Sequence, residues 1–221
     1  MTKADRRAAL QAARAEELAA VLDDLLTLSG DERALDVGCG TGAFAFALAP
    51  RVREVIAVEI DDELAERARA EAPPNVEVIT GDGEHLPFED FEFDLVGSLR
   101  TLHHTPRPEL MVAELARVTK PGGTIVVADQ LAPVDPLEAF ELNRFEKVRD
   151  PSTTRVLAEN DLRGLFDAND LRLRRELVIT ESRDIERYLD LAGCEGSDRD
   201  HARNLAPSGY AAVVGWYVLS R

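Results

Sequence analysis

The stretch Ala34-Leu35-Asp36-Val37-Gly38-Cys39-Gly40-Thr41-Gly42-Ala43-Phe44-Ala45-Phe46-Ala47-Leu48-Ala49 runs from an apolar strand, through three alternate glycines, into an apolar helix. A turn stripped of Cβ atoms between a strand and a helix lets a ligand approach the backbone closely. Asp36 stands two positions before the first glycine, where a carboxylate suits a ligand with positive charge better than one with phosphates. Cys39 sits inside the turn as a small filler that could meet a ligand through its backbone.

Outward from this stretch, short Val- and Ile-rich runs at 55–58, 76–79, 93–97 and 124–128 are each too brief for a helix. Such runs fit parallel strands buried on both faces. Helical patterns lie between them, at 44–48, at 62–72 with Asp61 as cap, and at 109–118 with Thr105 as cap and Pro106 in the first turn. Strict alternation of this kind predicts a doubly wound α/β sheet. Upstream, Leu18, Val21, Leu22, Leu25 and Leu28 recur at helical spacing, so residues 1–30 carry an amphipathic helix ended by Ser29-Gly30.

After Asp129 the rhythm changes. Pro133, Pro136 and Pro151 frame a helix at 137–148, so residues 131–156 read as an insertion outside the carboxyl end of the fifth strand. Ligands of open α/β sheets bind on that side. Helices at 158–168 and 185–191, a strand at 171–179, a polar loop at 193–200 and a last strand at 210–219 complete a single domain over 1–221.

Lys plus Arg number 26 against 42 Asp plus Glu, a formal charge of -16. That field repels phosphate backbones and anionic bilayers, so neither nucleic acid nor stable membrane association is expected. The first eighteen residues are charged and no apolar run approaches a bilayer span, which points to a cytoplasmic protein, monomeric or homodimeric. Cys39 and Cys194 fit no disulfide framework and no metal-ligand spacing, so no metal is expected.

Gly38, Gly40 and Ala43 also satisfy the dinucleotide pattern G-x-G-x-x-G/A, with Glu59 at the end of the second strand where that fingerprint places its acid. An NAD(P)-dependent oxidoreductase is therefore one reading. Glu59 suits the vicinal hydroxyls of a ribose, or serves only as a helix-start carboxylate. Asp82, after the third strand, can accept from an exocyclic amine such as adenine N6, or belongs to a turn. The oxidoreductase reading leaves Asp36 and Asp82 without a role.

Five segments together carry a family resemblance: 35–42 (LDVGCGTG), 58–61 (VEID), 81–88 (GDGEHLPF), 93–96 (FDLV) and 115–123 (LARVTKPGG). The chain resembles the class I S-adenosylmethionine-dependent methyltransferases of the ubiquinone/menaquinone biosynthesis methyltransferase-like group, with methyltransferase type 11 domains. The resemblance implies a Rossmann-like seven-stranded sheet of order 3-2-1-4-5-7-6, the last strand antiparallel, with Pro121-Gly122-Gly123 as the turn into strand five. It implies S-adenosylmethionine as cofactor and S-adenosylhomocysteine as product. Asp36 with the backbone of Gly38, Cys39 and Gly40 would face the methionine end. Glu59 would take the ribose, Ile60 would pack on adenine, Asp82 and the Gly83 amide would address its edge, and the Ser98 carbonyl would meet the ammonium.

A methyl sulfonium is already electrophilic, so such an enzyme mainly aligns sulfur, methyl and nucleophile and excludes water. For a hydroxyl or acidic-carbon acceptor a base helps, and His103 and His104 lie just beyond strand four. Their alternative is one helix cap and one packing residue. Arg100 could pin a substrate carboxylate or pair with a surface acid. In the insertion, Arg144 and Arg149 are substrate candidates with Phe140, Asn143, Phe145 and Arg155, unless the helix only closes the sheet edge. A small-molecule methyl acceptor is the expected partner; a cofactor-binding protein without catalysis is the remaining alternative.

Overall fold

The computed structural model describes residues 2–207 and 210–221, so Met1, Ser208 and Gly209 of the expected 1–221 domain lie outside the described residues. The apolar runs become β1 (Arg33–Val37), β2 (Glu54–Glu59), β3 (Val76–Thr80), β4 (Phe93–Leu99) and β5 (Thr119–Leu131). These five pair in parallel with one another. With β6 (Arg172–Ser182) and β7 (Ala211–Ser220) they make one seven-stranded sheet, order β3-β2-β1-β4-β5-β7-β6, with β7 antiparallel to β5 and β6. This is the expected order.

Successive strand residues point to opposite faces. Leu35 and Val37 enter one apolar layer with Leu115, Ile125 and Tyr217, whereas Ala34 enters the other with Leu22, Phe44 and Trp216. Both faces are covered, which is why the strands read as unbroken apolar runs. The turn into strand five expected at Pro121-Gly122-Gly123 is instead an irregularity inside β5: Phe93 lies opposite Thr119 but Leu95 opposite Thr124, and Gly122 takes φ +78°.

The helices are α1 (Lys3–Leu25), α2 (Ala43–Leu48), α3 (Asp62–Glu71), α4 (Pro108–Val118), α5 (Pro136–Arg149), α6 (Glu159–Ala168), α7 (Ile185–Ala192) and α8 (Gly196–Leu205). Asp61 caps α3 as expected, accepting from the Leu64 amide. Thr105 does not cap α4. Its hydroxyl donates to the Thr101 carbonyl, and Pro108 rather than Pro106 fills the first turn behind Arg107. α1 starts earlier than its apolar spacing shows, because Thr2 and Asp5 form a reciprocal capping box.

The expected polar loop at 193–200 is largely helix. Exposed ion pairs from Arg199 and Arg203 to Glu186 explain its polar composition, while Ala202 of α8 is buried with Leu189 and Cys194. Exposed pairs add little stability, so the apolar side does the holding. Leu142 and Phe145 of α5 join the same cluster with Tyr210. This third core stands beyond the carboxyl end of β5, where Leu131 pairs with Val213. Among the described residues no helix is long and apolar enough to cross a membrane.

Candidate active site

Gly38, Gly40 and Gly42 take φ of +75°, +59° and +98°, so the turn after β1 needs residues without Cβ three times in succession. The Gly38 and Cys39 amides both donate to the Val58 carbonyl, at 2.8 and 3.0 Å, and the Gly40 amide donates to Glu59 Oε2 at 2.7 Å. The turn is thereby fastened to the end of β2. A Cβ on Gly38 would strike Thr101, whose hydroxyl donates to the Gly38 carbonyl at 3.0 Å. A Cβ on Gly40 would meet only Gln11 of α1, and that same Gln11 side chain accepts from Thr41 at 2.5 Å. Thus α1 closes the open side of the turn.

Asp36 is buried, and its Oδ2 accepts the Ala45 amide at 3.0 Å while Oδ1 has no partner. Burial pushes its carboxyl up to about 7; the Ala45 amide opposes this and the charge of Glu59 adds to it. A buried carboxylate short of partners is the group an incoming cation stabilises most. Ser98, at the end of β4, is also buried with its hydroxyl unpartnered. Burial pushes the Cys39 thiol up as well, which suits a filler and not a nucleophile.

Glu59 accepts three amides: Gly40 on Oε2, Ile60 and Asp61 on Oε1 at 3.0 Å each. An ionised carboxylate offers about four lone-pair positions, so one remains for a ligand hydroxyl. Beside it Ile60 leaves 68% of its surface exposed, an apolar platform at a strand end. Asp82 accepts the Glu84 amide at 2.9 Å and contacts His85 Nδ1 at 3.2 Å; the amide first, and then His85, hold its carboxyl below the usual range. A Cβ on Gly83 would press on Val37, so this loop lies tight against β1. The sheet order therefore gathers Asp36, Glu59, Ile60, Asp82, Gly83 and Ser98 around the glycine turn. Asp82, Glu84 and His85 also place potential metal-binding atoms within 4.8 Å of one another, although Glu84 is engaged by Arg107.

In the short helical turn that follows β4, His103 Nδ1 lies 2.5 Å from Oδ1 of Asp129, and the His103 amide donates to Oδ2 at 3.0 Å. Asp129 is buried, yet its carboxyl stays below the usual range because the His103 interactions and the Gln130 amide outweigh burial. An ionised Asp129 holds the ring proton on Nδ1 and leaves Nε2 as the basic nitrogen. His104 stacks 4.1 Å from the His103 ring and shares a hydrogen bond with the Ser152 hydroxyl at 3.0 Å. Burial first, and then the neighbouring His103, drive its pKa down to about 3, so His104 holds a proton poorly. Asp129 was missed in the sequence, although it lies near the carboxyl end of β5 as Asp36, Glu59 and Asp82 lie near those of β1, β2 and β3.

The three arginines part company. Arg100 takes φ +57° and bonds Glu181 at 2.5 Å. Arg144 lies exposed on α5. Arg149 is buried, paired with Glu146 at 2.8 Å and stacked 4.0 Å over Tyr188, inside the third core.

A family model described as "Methyltransferase domain" matches residues 35–127, the span from β1 to β5. The chain is 35% identical over 145 residues to the uncharacterized methyltransferase YcgJ of Bacillus subtilis, covering 64% of this chain and 57% of that protein. It is 34% identical over 131 residues to a demethylmenaquinone methyltransferase of Clavibacter sepedonicus, covering 58% and 54%. The chain thus spans about half the length of these curated relatives. A Bacillus halodurans structure described as a methyltransferase candidate superposes with TM-score 0.81 at 26% identity, over 91% of this chain and 96% of that one. With the sheet order agreeing, the chain carries a methyltransferase domain over residues 35–127 in the seven-stranded α/β methyltransferase fold.

Proposed function

We propose that this protein is a cytoplasmic enzyme that moves a methyl group from S-adenosylmethionine to the oxygen, carbon or nitrogen of a small-molecule acceptor. The observation that carries this is Asp36, a buried carboxylate with one oxygen unpartnered beside three positive-φ glycines. Such a cradle matches a cationic ligand, and a pyrophosphate would meet repulsion there. When bound, S-adenosylmethionine supplies a methyl sulfonium, which reacts once an acceptor is aligned with it.

The chain's own residues do the rest. Asp36 and Ser98 complete their hydrogen bonding on the polar methionine end, Glu59 holds the ribose with its remaining lone pair, and Ile60 covers adenine. Asp82 and Gly83 address the adenine edge. His103, oriented by Asp129, takes the proton from the acceptor as the new bond to carbon forms. The α1 helix across the glycine turn excludes water.

Titration calorimetry tests the reading. S-adenosylhomocysteine should bind well and NADH should not, and equal or reversed affinities would overturn it. Transfer of labelled methyl from S-adenosylmethionine to a panel of phenols, quinols, acids and amines then tests catalysis.

A further inference from the structure

Three guanidiniums converge on one carboxylate at the acceptor side. Arg100, just after β4, bonds Glu181 Oε1 at 2.5 Å, while Arg14 of α1 and Arg183 after β6 both reach Oε2 at 3.3 Å. Glu181 is the one carboxylate all three share, although Arg183 also feels the charge of Glu146. Burial first lowers the Arg100 pKa, and the neighbouring Arg183 and Arg14 add to this against the opposing charge of Glu181.

The cluster is tied to the reacting centre on every side. Arg100 precedes Thr101, which bonds Gly38 of the glycine turn. Arg14 lies one helical turn beyond Gln11, the residue that bonds Thr41. Arg183 bonds the Gln130 side chain, and the Gln130 amide donates to Asp129, the partner of His103. Arg100 keeps a positive φ that costs a non-glycine residue free energy, and strain of this kind collects where a side chain must be aimed at a ligand. Arg14 and Arg100 leave 35% and 36% of their side chains exposed, so a solute can reach them, whereas Arg183 at 6% forms the floor.

We propose that the methyl acceptor is a small carboxylic acid whose carboxylate is held by Arg14, Arg100 and Arg183. The inference rests on the acceptor side of the methyltransferase reading and narrows its substrate class. Glu181 shows the chemistry the trio takes: each of its oxygens already receives a guanidinium, and its two 3.3 Å contacts leave those donors free to turn to a second carboxylate. Glu181 thereby acts as an internal competitor that keeps the arginines gathered when no acid is bound.

The test uses the full chain saturated with S-adenosylhomocysteine, titrated with matched pairs of aromatic and aliphatic hydroxy acids, their neutral amides, and the corresponding phosphomonoesters. The expected result is at least one acid that binds tenfold or more tightly than its amide. Arg100→Gln and Arg14→Gln should each weaken that acid by about tenfold and leave the amide unchanged, while Glu181→Gln should tighten it. A purely structural cluster would give the opposite for Glu181→Gln, because losing the central carboxylate would loosen the site. Acids and amides binding alike, phosphomonoesters binding in place of acids, or wild-type affinity in Arg100→Gln would each overturn the proposal. S-adenosylhomocysteine binding with labelled transfer only to neutral acceptors would overturn it and leave the methyltransferase reading standing. Acid binding without transfer to any acceptor would overturn the methyltransferase reading and with it the acid's role as acceptor.

Discussion

His103 and Asp129, twenty-six residues apart, are joined twice: one carboxylate oxygen of Asp129 meets the ring at 2.5 Å and the other takes the main-chain amide of His103 at 3.0 Å. The double attachment sets both the tautomer and the position of the ring, so Asp129 works as a positioning residue. Asp129→Asn should reverse the hydrogen bond and present the wrong nitrogen, lowering kcat by roughly 10²–10⁴. Affinity for S-adenosylhomocysteine should stay within about twofold. His103→Ala should cost as much, and the double variant no more than either, which steady-state kinetics on all three would check. Loss of cofactor affinity together with kcat would mean the pair only supports the fold.

Asp36 sets a pH dependence whose sign follows from its carboxyl standing near 7 against an ordinary 3.8. The raised value favours the protonated form when the protein is folded and free, so this contribution to stability is complete below 3.8 and lost as pH rises through 7. A shift of that size corresponds to about 4 kcal/mol. The α-ammonium of the cofactor, which S-adenosylhomocysteine keeps, favours the ionised form, so binding releases a proton. The affinity for S-adenosylhomocysteine should rise about tenfold per pH unit below 7 and level off above it. Asp36→Asn should bind more weakly with a flat profile, and should raise the unfolding midpoint of the free protein at pH 8. Calorimetry in buffers of different ionisation enthalpy would count the proton directly.

These two residues also mark how far the sequence could be read. The strands and the glycine turn were visible because a buried parallel strand must be apolar throughout and such a turn must lack Cβ atoms, whereas the strand order came from the family resemblance. The α8 helix escaped because only Ala202 of its residues is buried, leaving no apolar period in Gly196–Leu205. Asp129 was in plain view at the end of β5, but its meaning depends on a loop folding back from β4, and no spacing in the chain encodes that contact. Glu181 and Arg183 were invisible for the same reason: they reach the site only because β6 ends beside the carboxyl end of β5 through β7.

Ile60 and Glu59 separate cofactor binding from folding. Ile60 is exposed, so Ile60→Ala should leave the unfolding free energy within about 0.5 kcal/mol. It should weaken S-adenosylhomocysteine by about three- to tenfold through the apolar area no longer covered. Glu59→Ala should damage both, because three amides lose their acceptor and each buried unsatisfied group costs about 1–3 kcal/mol. Urea unfolding beside calorimetry distinguishes the two variants. An Ile60→Ala protein with full affinity would remove that side chain from the adenine site.

Arg149 invites the final comparison, since position alone had made it a substrate candidate. Its guanidinium is paired with Glu146, which also receives the Tyr210 hydroxyl at 2.5 Å, the Tyr188 hydroxyl and the Gln130 amide. Burial opposes ionisation of Glu146, but Arg149 first and these donors after it win, holding the carboxyl below its usual 4.5. A depressed carboxyl stabilises the fold above its unfolded value and loses that contribution as pH falls through its folded one, so unfolding should become easier below about 4.5. Glu146→Ala leaves a buried arginine without its anion and should cost about 3–5 kcal/mol at pH 7. Arg149→Met, which keeps the volume against Tyr188, should cost less than Glu146→Ala, with kcat per folded molecule unchanged. If Arg149→Met instead raises KM for the acceptor while the unfolding midpoint holds, Arg149 belongs to the acceptor site and not to the scaffold beneath it.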